Sequence, residues 1–119
     1  MRISEELRNR SKFYGSQMIR IFMNLPKDRE EVRILGRQLI RSGTSVASHI
    51  REASRARSDA EFCSKLDALL QEADESQLWL EYLIEDCLIV EPSLPAAHRE
   101  AGELIAIFTT IVHKVRSTL

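Results

Sequence analysis

Glycine and aromatic residues are scarce in this chain, and their scarcity excludes several kinds of site. The 119 residues include four glycines, which do not cluster, and aromatic side chains make up 6% of the total. A phosphate-binding loop or a dinucleotide-binding turn needs closely spaced glycines, so neither is present. With so few aromatic side chains, we do not expect nucleic-acid bases to be bound by stacking.

Long hydrophobic runs are also missing. No segment approaches the roughly 20 apolar residues that a membrane-spanning helix requires. The N-terminal residues 1–6 carry two acids and no apolar core, unlike a signal peptide. We therefore expect a cytoplasmic protein. Hydrophobic residues at 44% and charged residues at 29% are typical of a globular chain, and the length suits one domain over residues 1–119.

Residue patterns that would indicate a metal site or catalysis are absent. Di-metal centres in helix bundles use Glu-x-x-His pairs, and none of the three histidines (His49, His98 and His113) has a glutamate three residues before it. The sequence also has no His-Glu-x-x-His motif and no Gly-x-Ser-x-Gly motif. We predict that the protein is not an enzyme and that it holds neither a cofactor nor a metal ion.

The two cysteines are predicted to be buried thiols. Cys63 and Cys87 are 24 residues apart on one predicted helix, which separates them by about 36 Å. A disulfide needs Cα atoms within about 7 Å, so these residues cannot pair within one chain.

Apolar residues recur at spacings of three and four in four segments, and this pattern predicts four helices. The third helix is expected to be the longest, at about 30 residues or about 45 Å. The predicted core positions are Leu7, Ser11, Tyr14, Met18, Ile21 and Leu25; Leu35, Leu39, Ser42, Val46, Ile50 and Ala53; Phe62, Leu66, Leu69, Ala73, Ser76, Leu80, Leu83 and Cys87; and Ala97, Ala101, Leu104, Phe108, Ile111 and Val115.

Capping residues and prolines mark the ends of these segments. They are Ser4 and Pro26 for the first helix, Asp28 with Glu31 for the start of the second, Ser58 with Glu61 and Pro92 for the third, and Ser93 to Pro95 for the start of the fourth. The connections are short, so neighbouring helices must run antiparallel. The sequence therefore predicts an all-α fold, an antiparallel up-down-up-down four-helix bundle.

The chain has more apolar helical surface than one bundle needs, since about three positions in seven suffice. The additional apolar residues are Ile19, Phe22, Met23, Ile34, Ile40, Leu70, Leu78, Trp79, Tyr82, Ile84 and Ile89. We predict that a second apolar face meets another copy of the chain, with the interface at Leu78, Trp79 and Tyr82. A wide core stripe within one bundle is the alternative.

Charge is distributed unevenly along the sequence. Residues 1–57 contain 13 Lys and Arg against 6 Asp and Glu, whereas residues 58–119 contain 4 against 12. The basic half could serve an anionic partner, or the two halves could attract each other within a bundle or between subunits. Both interpretations are open at this point.

The middle of the second helix is poor helix-forming sequence. The run of residues 41–45, Arg-Ser-Gly-Thr-Ser, combines small hydroxyls with a glycine, which costs about 1 kcal/mol in a helix. Small residues at Gly43, Ala47 and Ser48 would let a neighbouring helix approach closely.

The same helix carries a polar stripe and a set of arginines. Arg41, Ser45, His49 and Glu52 follow spacings of four, four and three, so they share one face. We favour a structural role for this polar stripe, as a buried hydrogen-bond network that fixes helix register or a subunit contact. The arginines that we expect to contact a nucleic acid or another partner are Arg37, Arg51, Arg55 and Arg57.

Three motifs in this region resemble those of a known family. They are Gln38-Leu39-x-Arg41-Ser42-x-x-Ser45-Val46-x-x-His49-Ile50-x-Glu52-Ala53, then Ser58-x-x-x-Phe62-x-x-x-Leu66, and Glu72-x-x-Glu75-x-x-x-Trp79-Leu80. Together they resemble the signature of the 23S rRNA intervening sequence proteins, over roughly residues 5–115. The sequence departs from that signature at His49, where asparagine is usual, and at Ala53, where glycine is frequent.

The resemblance implies a four-helix bundle that assembles as a homopentamer. It also implies a relation to the accessory variability determinants of diversity-generating retroelements, which bind a reverse transcriptase and nucleic acid through basic surfaces. We expect a homo-oligomeric binding or scaffold protein that contacts RNA through its basic N-terminal half. The alternative is an adaptor for a protein such as a reverse transcriptase, without direct nucleic-acid binding. This chain is slightly acidic overall, unlike the strongly basic accessory determinants.

Overall fold

Four antiparallel helices make up most of residues 3–119, the part of the chain that this computed structural model describes. They are α1 (Glu5–Asn24), α2 (Glu30–Ser54), α3 (Asp59–Glu85) and α4 (Ser93–Arg116), and the described residues form no strand. Each helix packs on its neighbours in the order α1, α2, α3, α4, and α4 closes back on α1 in the loosest of the four pairings. The bundle measures 49 × 21 × 20 Å. The predicted all-α up-down-up-down fold is confirmed.

Two of the predicted helix starts are capped as the sequence indicates. The Ser4 hydroxyl accepts a hydrogen bond from the Leu7 N–H at 3.1 Å, and the Ser58 hydroxyl accepts one from the Glu61 N–H at 3.1 Å. Each bond satisfies a backbone donor that has no partner within the first turn of its helix. The start of α4 at Ser93 and the end of α1 before Pro26 also agree with the predictions.

The predicted start of α2 at Asp28 is wrong. The helix begins at Glu30, and the N-cap is Arg29, whose side chain makes no capping bond. The Arg29 guanidinium instead donates to the Cys87 carbonyl, a long-range contact, and to the carboxylate of nearby Glu31, both at 2.9 Å. Glu30 and Glu31 in the first turn complement the helix dipole in place of a capping side chain.

The bundle core consists largely of the predicted positions. Tyr14, Phe62 and Phe108 are the largest fully buried side chains, and the core runs through all four helices. In the last turns of α4 the prediction is wrong by one residue, since Val112 is buried whereas Ile111 and Val115 are half-buried at its edge. Cys63 and Cys87 are buried free thiols, as expected, although α3 ends at Glu85 and is therefore shorter than predicted.

A buried hydrogen bond crosses the bundle between α1 and α3. The Tyr14 and Ser76 hydroxyl oxygens are 2.7 Å apart, and Ser76 also bonds the Ala73 carbonyl at 2.8 Å. Because the one Ser76 hydroxyl proton points to that carbonyl, Tyr14 is the donor to Ser76. Burial raises the pKa of Tyr14 to about 12, so the phenol stays protonated in the folded protein.

Two glycines allow α1 and α2 to pack closely. A Cβ atom placed on Gly15 would be 3.5 Å from the Thr44 Cα, and one placed on Gly43 would be 2.9 Å from the Met18 Sδ. The expectation that Gly43 permits close packing is therefore confirmed. Ser48, which we grouped with it, is exposed and takes no part.

Nine of the eleven additional apolar residues fall into two groups, and the other two, Phe22 and Ile40, are partly buried. Leu70, Trp79, Ile84 and Ile89 are half-buried against the core, so part of the surplus does widen the core stripe. The exposed members, between 40 and 63% accessible, are Ile19, Met23, Ile34, Leu78 and Tyr82. These side chains are the ones available to another subunit.

Candidate nucleic-acid interface

The surface shared by α1 and α2 carries a concentration of positive charge. We call this surface the basic face, and its cations are Arg8, Lys12, Lys27, Arg33, Arg37, Arg51 and Arg55. Arg33, Arg37, Arg51 and Arg55 of α2 have no ion pair with any carboxylate within residues 3–119. Exposed cations without internal partners keep their charge available to an external anion.

Packing of the glycines determines which side chains of the two helices meet on this face. Gly15 lies beside Thr44, and the helices run antiparallel. Arg8 is seven residues before Gly15 in α1, and Arg51 is seven residues after Thr44 in α2. Because the helices are antiparallel, Arg8 is level with Arg51. The crossing therefore joins basic residues that are more than 40 positions apart in the sequence.

At this end of the basic face the two helices border a cleft of about 370 Å³. Its lining is Arg8, Asn9, Lys12, Ala47, Ile50, Arg51, Ser54 and Arg55. We call it the basic cleft, and it contains four cationic side chains and no carboxylate. The buried Ser54 hydroxyl oxygen has no hydrogen-bond partner among the described residues.

At the opposite end of the same face lies a more apolar depression of about 650 Å³. Its floor is formed by apolar residues around the α1–α2 connection, and three cations surround it. The lining residues are Phe22, Met23, Leu25, Pro26, Lys27, Val32, Arg33 and Arg37. Arg37, one of the four arginines that we expected at a partner surface, is therefore far from Arg51 and Arg55 along the bundle.

Arg57, the last of those four arginines, is in neither depression. It lies in the α2–α3 connection, with 90% of its side chain exposed, and its nitrogen is 3.6 Å from a Glu61 oxygen. The structure thus brings together only Arg51 and Arg55 of the four residues. It adds Arg8 and Lys12 of α1, which the sequence pattern did not predict.

Elsewhere on the bundle, several cations are paired with acids of the C-terminal half, whereas Arg20, Arg99 and Lys114 form no ion pair with a described residue. Arg10 binds both oxygens of Glu100 at 2.7 Å and one oxygen of Glu103 at 2.9 Å, which raises its pKa further above the usual range. Arg116 binds Asp67 at 2.7 Å. The charge asymmetry is therefore used partly inside the bundle, and most cations of the basic face take no part in these ion pairs.

The polar stripe lies along the edge of the α2–α3 contact. Arg41 bridges Glu72 and Glu75 of α3 at 3.1 Å each. Because its side chain is 53% exposed, the stripe is not the buried network that we predicted. The Ser45 hydroxyl donates to the Arg41 carbonyl of its own helix at 2.7 Å.

The other half of the polar stripe forms a second, separate group of contacts. His49 Nδ1 lies 3.1 Å from one Glu52 oxygen, and Lys65 Nζ of α3 lies 2.9 Å from the other. The hydrogen bond from Lys65 is the main cause that lowers the pKa of Glu52. These contacts tie α2 to α3 and fix their register, with residue 41 level with residues 72–75 and residue 52 level with residue 65.

The predicted oligomer interface lies on the outer side of α3. Leu78 and Tyr82 are exposed, and the Trp79 ring lies 6.2 Å from the Tyr82 ring between centroids. The buried Trp79 indole nitrogen has no hydrogen-bond partner within residues 3–119. Continuing the α2–α3 register places the exposed Ile34 of α2 level with this aromatic pair, so the apolar patch extends across both helices.

Two further kinds of site are absent from the described residues. Within residues 3–119, no three His, Cys, Asp or Glu side chains are placed to hold a metal ion. In the same part of the chain, no helix combines the length and the hydrophobicity needed to cross a lipid bilayer.

Comparison with known proteins shows a match over most of the chain. A model of the family described as 23S rRNA-intervening sequence protein matches residues 6–110. No match was found among curated proteins. A crystal structure of a protein with unknown function from the S23 ribosomal protein family of Bacteroides thetaiotaomicron VPI-5482 is similar, with a TM-score of 0.81 and 28% sequence identity. The similarity covers 89% of this chain and 97% of that chain.

Proposed function

Because this chain belongs to the family of 23S rRNA-intervening sequence proteins, we propose that it is a non-enzymatic, homo-oligomeric protein that contacts RNA through its basic face. The observation that carries the proposal is the group of seven cations on the basic face, most of which form no ion pair with a described residue, in a bundle whose net charge is only −1. Because the positive charge is concentrated on this face and is not spread evenly over the bundle, this face is the one expected to contact RNA. The proposal includes a cytoplasmic location, where RNA is available.

Binding by this face would depend on phosphates and not on bases. Arginine and lysine side chains neutralise phosphates and release counter-ions, so affinity falls steeply as salt rises. No aromatic side chain lines the basic cleft, and Phe22 is the only one at the apolar depression. Stacking of bases on aromatic rings would therefore contribute little, and we expect weak sequence preference.

Self-association is the second part of the proposal. The exposed apolar side chains of α2 and α3, among them Ile34, Leu78 and Tyr82, would be covered by other copies of the chain. The family resemblance of the sequence implies five copies. An assembly of this kind would present several basic faces at once, and multivalency would increase the overall affinity for a long RNA.

The experiment is fluorescence anisotropy with a labelled RNA at about 50 mM and about 200 mM salt. The oligomeric state is checked by light scattering under both conditions. We expect binding at the lower salt that weakens steeply at the higher salt. Absence of binding at the lower salt, with the assembly intact, would refute the RNA part of the proposal.

A specific observation favours one alternative, a protein-directed adaptor. The apolar depression with Lys27, Arg33 and Arg37 at its rim mixes hydrophobic and charged groups, as protein-binding surfaces do. An acidic, partly apolar segment of another protein, such as a reverse transcriptase, would suit it. An assembly that is intact but does not bind RNA would favour this adaptor function.

A further inference from the structure

The basic cleft differs from the rest of the basic face in having walls from two helices. Arg8, Asn9 and Lys12 come from α1, whereas Arg51, Ser54 and Arg55 come from α2. Arg8 also donates a hydrogen bond to the Ile3 carbonyl at 3.3 Å, which holds its side chain near the bundle end. Lys12, Arg51 and Arg55 have no ion pair with any described residue.

The cations of the cleft are arranged in a row along the bundle axis. In the register set by Gly15 and Thr44, Lys12 is level with Ala47, Arg8 is level with Arg51, and Arg55 lies one turn beyond. Ala47, which is level with Lys12, and Arg55 are eight residues apart on α2, a distance of about 12 Å along the helix. A single phosphate ion cannot span this distance, whereas two or three successive phosphates of a strand can.

Polar groups without charge complete the lining. Ser54 lines the cleft, and its buried hydroxyl oxygen has no hydrogen-bond partner among residues 3–119. The Asn9 amide lies on the opposite wall. Ala47 and Ile50 form an apolar floor that offers no group for reading a base edge.

We infer that the basic cleft is the principal RNA-binding site of each subunit and that it holds two or three successive phosphates of the sugar–phosphate backbone. Arg51 and Arg55 contact the strand from α2, and Lys12 contacts it from α1. The inference rests on the proposed function and narrows it to one end of the basic face. The remaining cations, at Lys27, Arg33 and Arg37, are not required for binding.

The test compares two double variants of α2 that remove the same charge. Arg51→Gln with Arg55→Gln alters the cleft, and Arg33→Gln with Arg37→Gln is the matched control at the other end of the same face. Salt slopes for single strands fall by about 0.7 per lost phosphate contact, so the cleft variant should lose about 1.4. At 50 mM salt that loss corresponds to a roughly sixtyfold weaker affinity. The control should lose far less.

A single variant tests whether α1 contributes to the same site. Lys12→Gln should lower the affinity about eightfold at 50 mM salt and reduce the slope by about 0.7. Circular dichroism and light scattering confirm that each variant is folded and assembled. An unchanged affinity for Lys12→Gln would overturn a cleft formed by two helices.

The outcomes separate failure of the cleft from failure of the proposed function. Equal losses in the cleft and control variants would show that RNA contacts the whole face, which overturns the inference and leaves the proposed function intact. No binding by the unmodified protein would overturn both. Inorganic triphosphate is added as a competitor of RNA, to test whether the cleft prefers a nucleic-acid strand to a free polyphosphate. Displacement of RNA by triphosphate at equal phosphate concentration would overturn the backbone assignment.

Discussion

Replacing Gly43 by alanine should destabilise the bundle, although the same change usually stabilises a helix. The added Cβ would lie 2.9 Å from the Met18 Sδ and closer still to its Cγ, where carbon atoms prefer about 3.5–4.0 Å. Met18 is fully buried, so it cannot move aside without disturbing the core. Overpacking costs about 1–3 kcal/mol, and two contacts this short place Gly43→Ala in the upper part of that range, at about 2–3 kcal/mol. The gain in helix propensity offsets about 1 kcal/mol of this cost. We expect a net loss of about 1–2 kcal/mol.

Gly15 provides the matched control at the same helix crossing. A Cβ added there would lie 3.5 Å from the Thr44 Cα and 3.7 Å from the Gly43 carbonyl oxygen, which are ordinary van der Waals distances. Gly15→Ala should therefore gain the helix propensity without a clash and stabilise the bundle by about 0.5–1 kcal/mol.

Urea unfolding followed by circular dichroism measures both changes, with every sample at the same protein concentration because self-association shifts apparent stability. The two alanine variants should differ by about 2 kcal/mol, with opposite signs relative to the unmodified chain. If Gly43→Ala were as stable as the unmodified protein, the tight packing of Met18 against α2 would be refuted. Equal destabilisation by both variants would refute the distinction between the two glycines.

Two further predictions concern the buried phenol and the apolar patch. Tyr14 has a pKa raised from 10.0 to about 12, so the unfolded chain loses its phenol proton first and stability falls as the pH rises from 10 to 12. Urea unfolding should show that the unmodified protein loses about 2–3 kcal/mol more than Tyr14→Phe over this range; equal losses would contradict burial as the cause. Tyr82→Asp should dissociate the oligomer in light scattering, whereas Thr109→Asp, at an exposed position of α4 outside this patch, should leave it intact. Full assembly of Tyr82→Asp would exclude this face from the interface.

Periodicity made most of the fold predictable from the sequence. Gaps of three and four between apolar residues locate the buried side of a helix, and Ser4 and Ser58 mark helix starts by local chemistry. The prediction failed where contacts distant in sequence determine the outcome. Arg29 replaces Asp28 at the start of α2 because it bonds the Cys87 carbonyl, 58 residues further along the chain.

The end of α3 was also beyond the reach of the pattern. Leu88 takes a φ of 57°, a left-handed conformation that glycine usually supplies. Backbone bonds from Cys87 to Tyr82 and from Ile89 to Leu83, both 3.0 Å, hold this turn. The sequence has no glycine at this position and therefore gives no signal of the turn.

The candidate site was predictable only in part, for a related reason. Helical spacing identified Arg51 and Arg55 as exposed on α2. Spacing within one helix contains no information about which residues of another helix form the opposite wall of the cleft. Arg8 and Lys12 join them because Gly15 packs beside Thr44 and sets the register between the helices. A signal was present in the small residues of both helices, and combining it with the charge pattern would have suggested a shared basic cleft.

Native mass spectrometry of the protein mixed with a short RNA tests the proposed function most directly, because one spectrum reports both self-association and RNA binding. The proposal predicts assemblies at five times the 13.7 kDa mass of the chain, carrying bound RNA that is lost as the ammonium acetate concentration rises. Single chains without RNA at low salt would contradict both parts of the proposal.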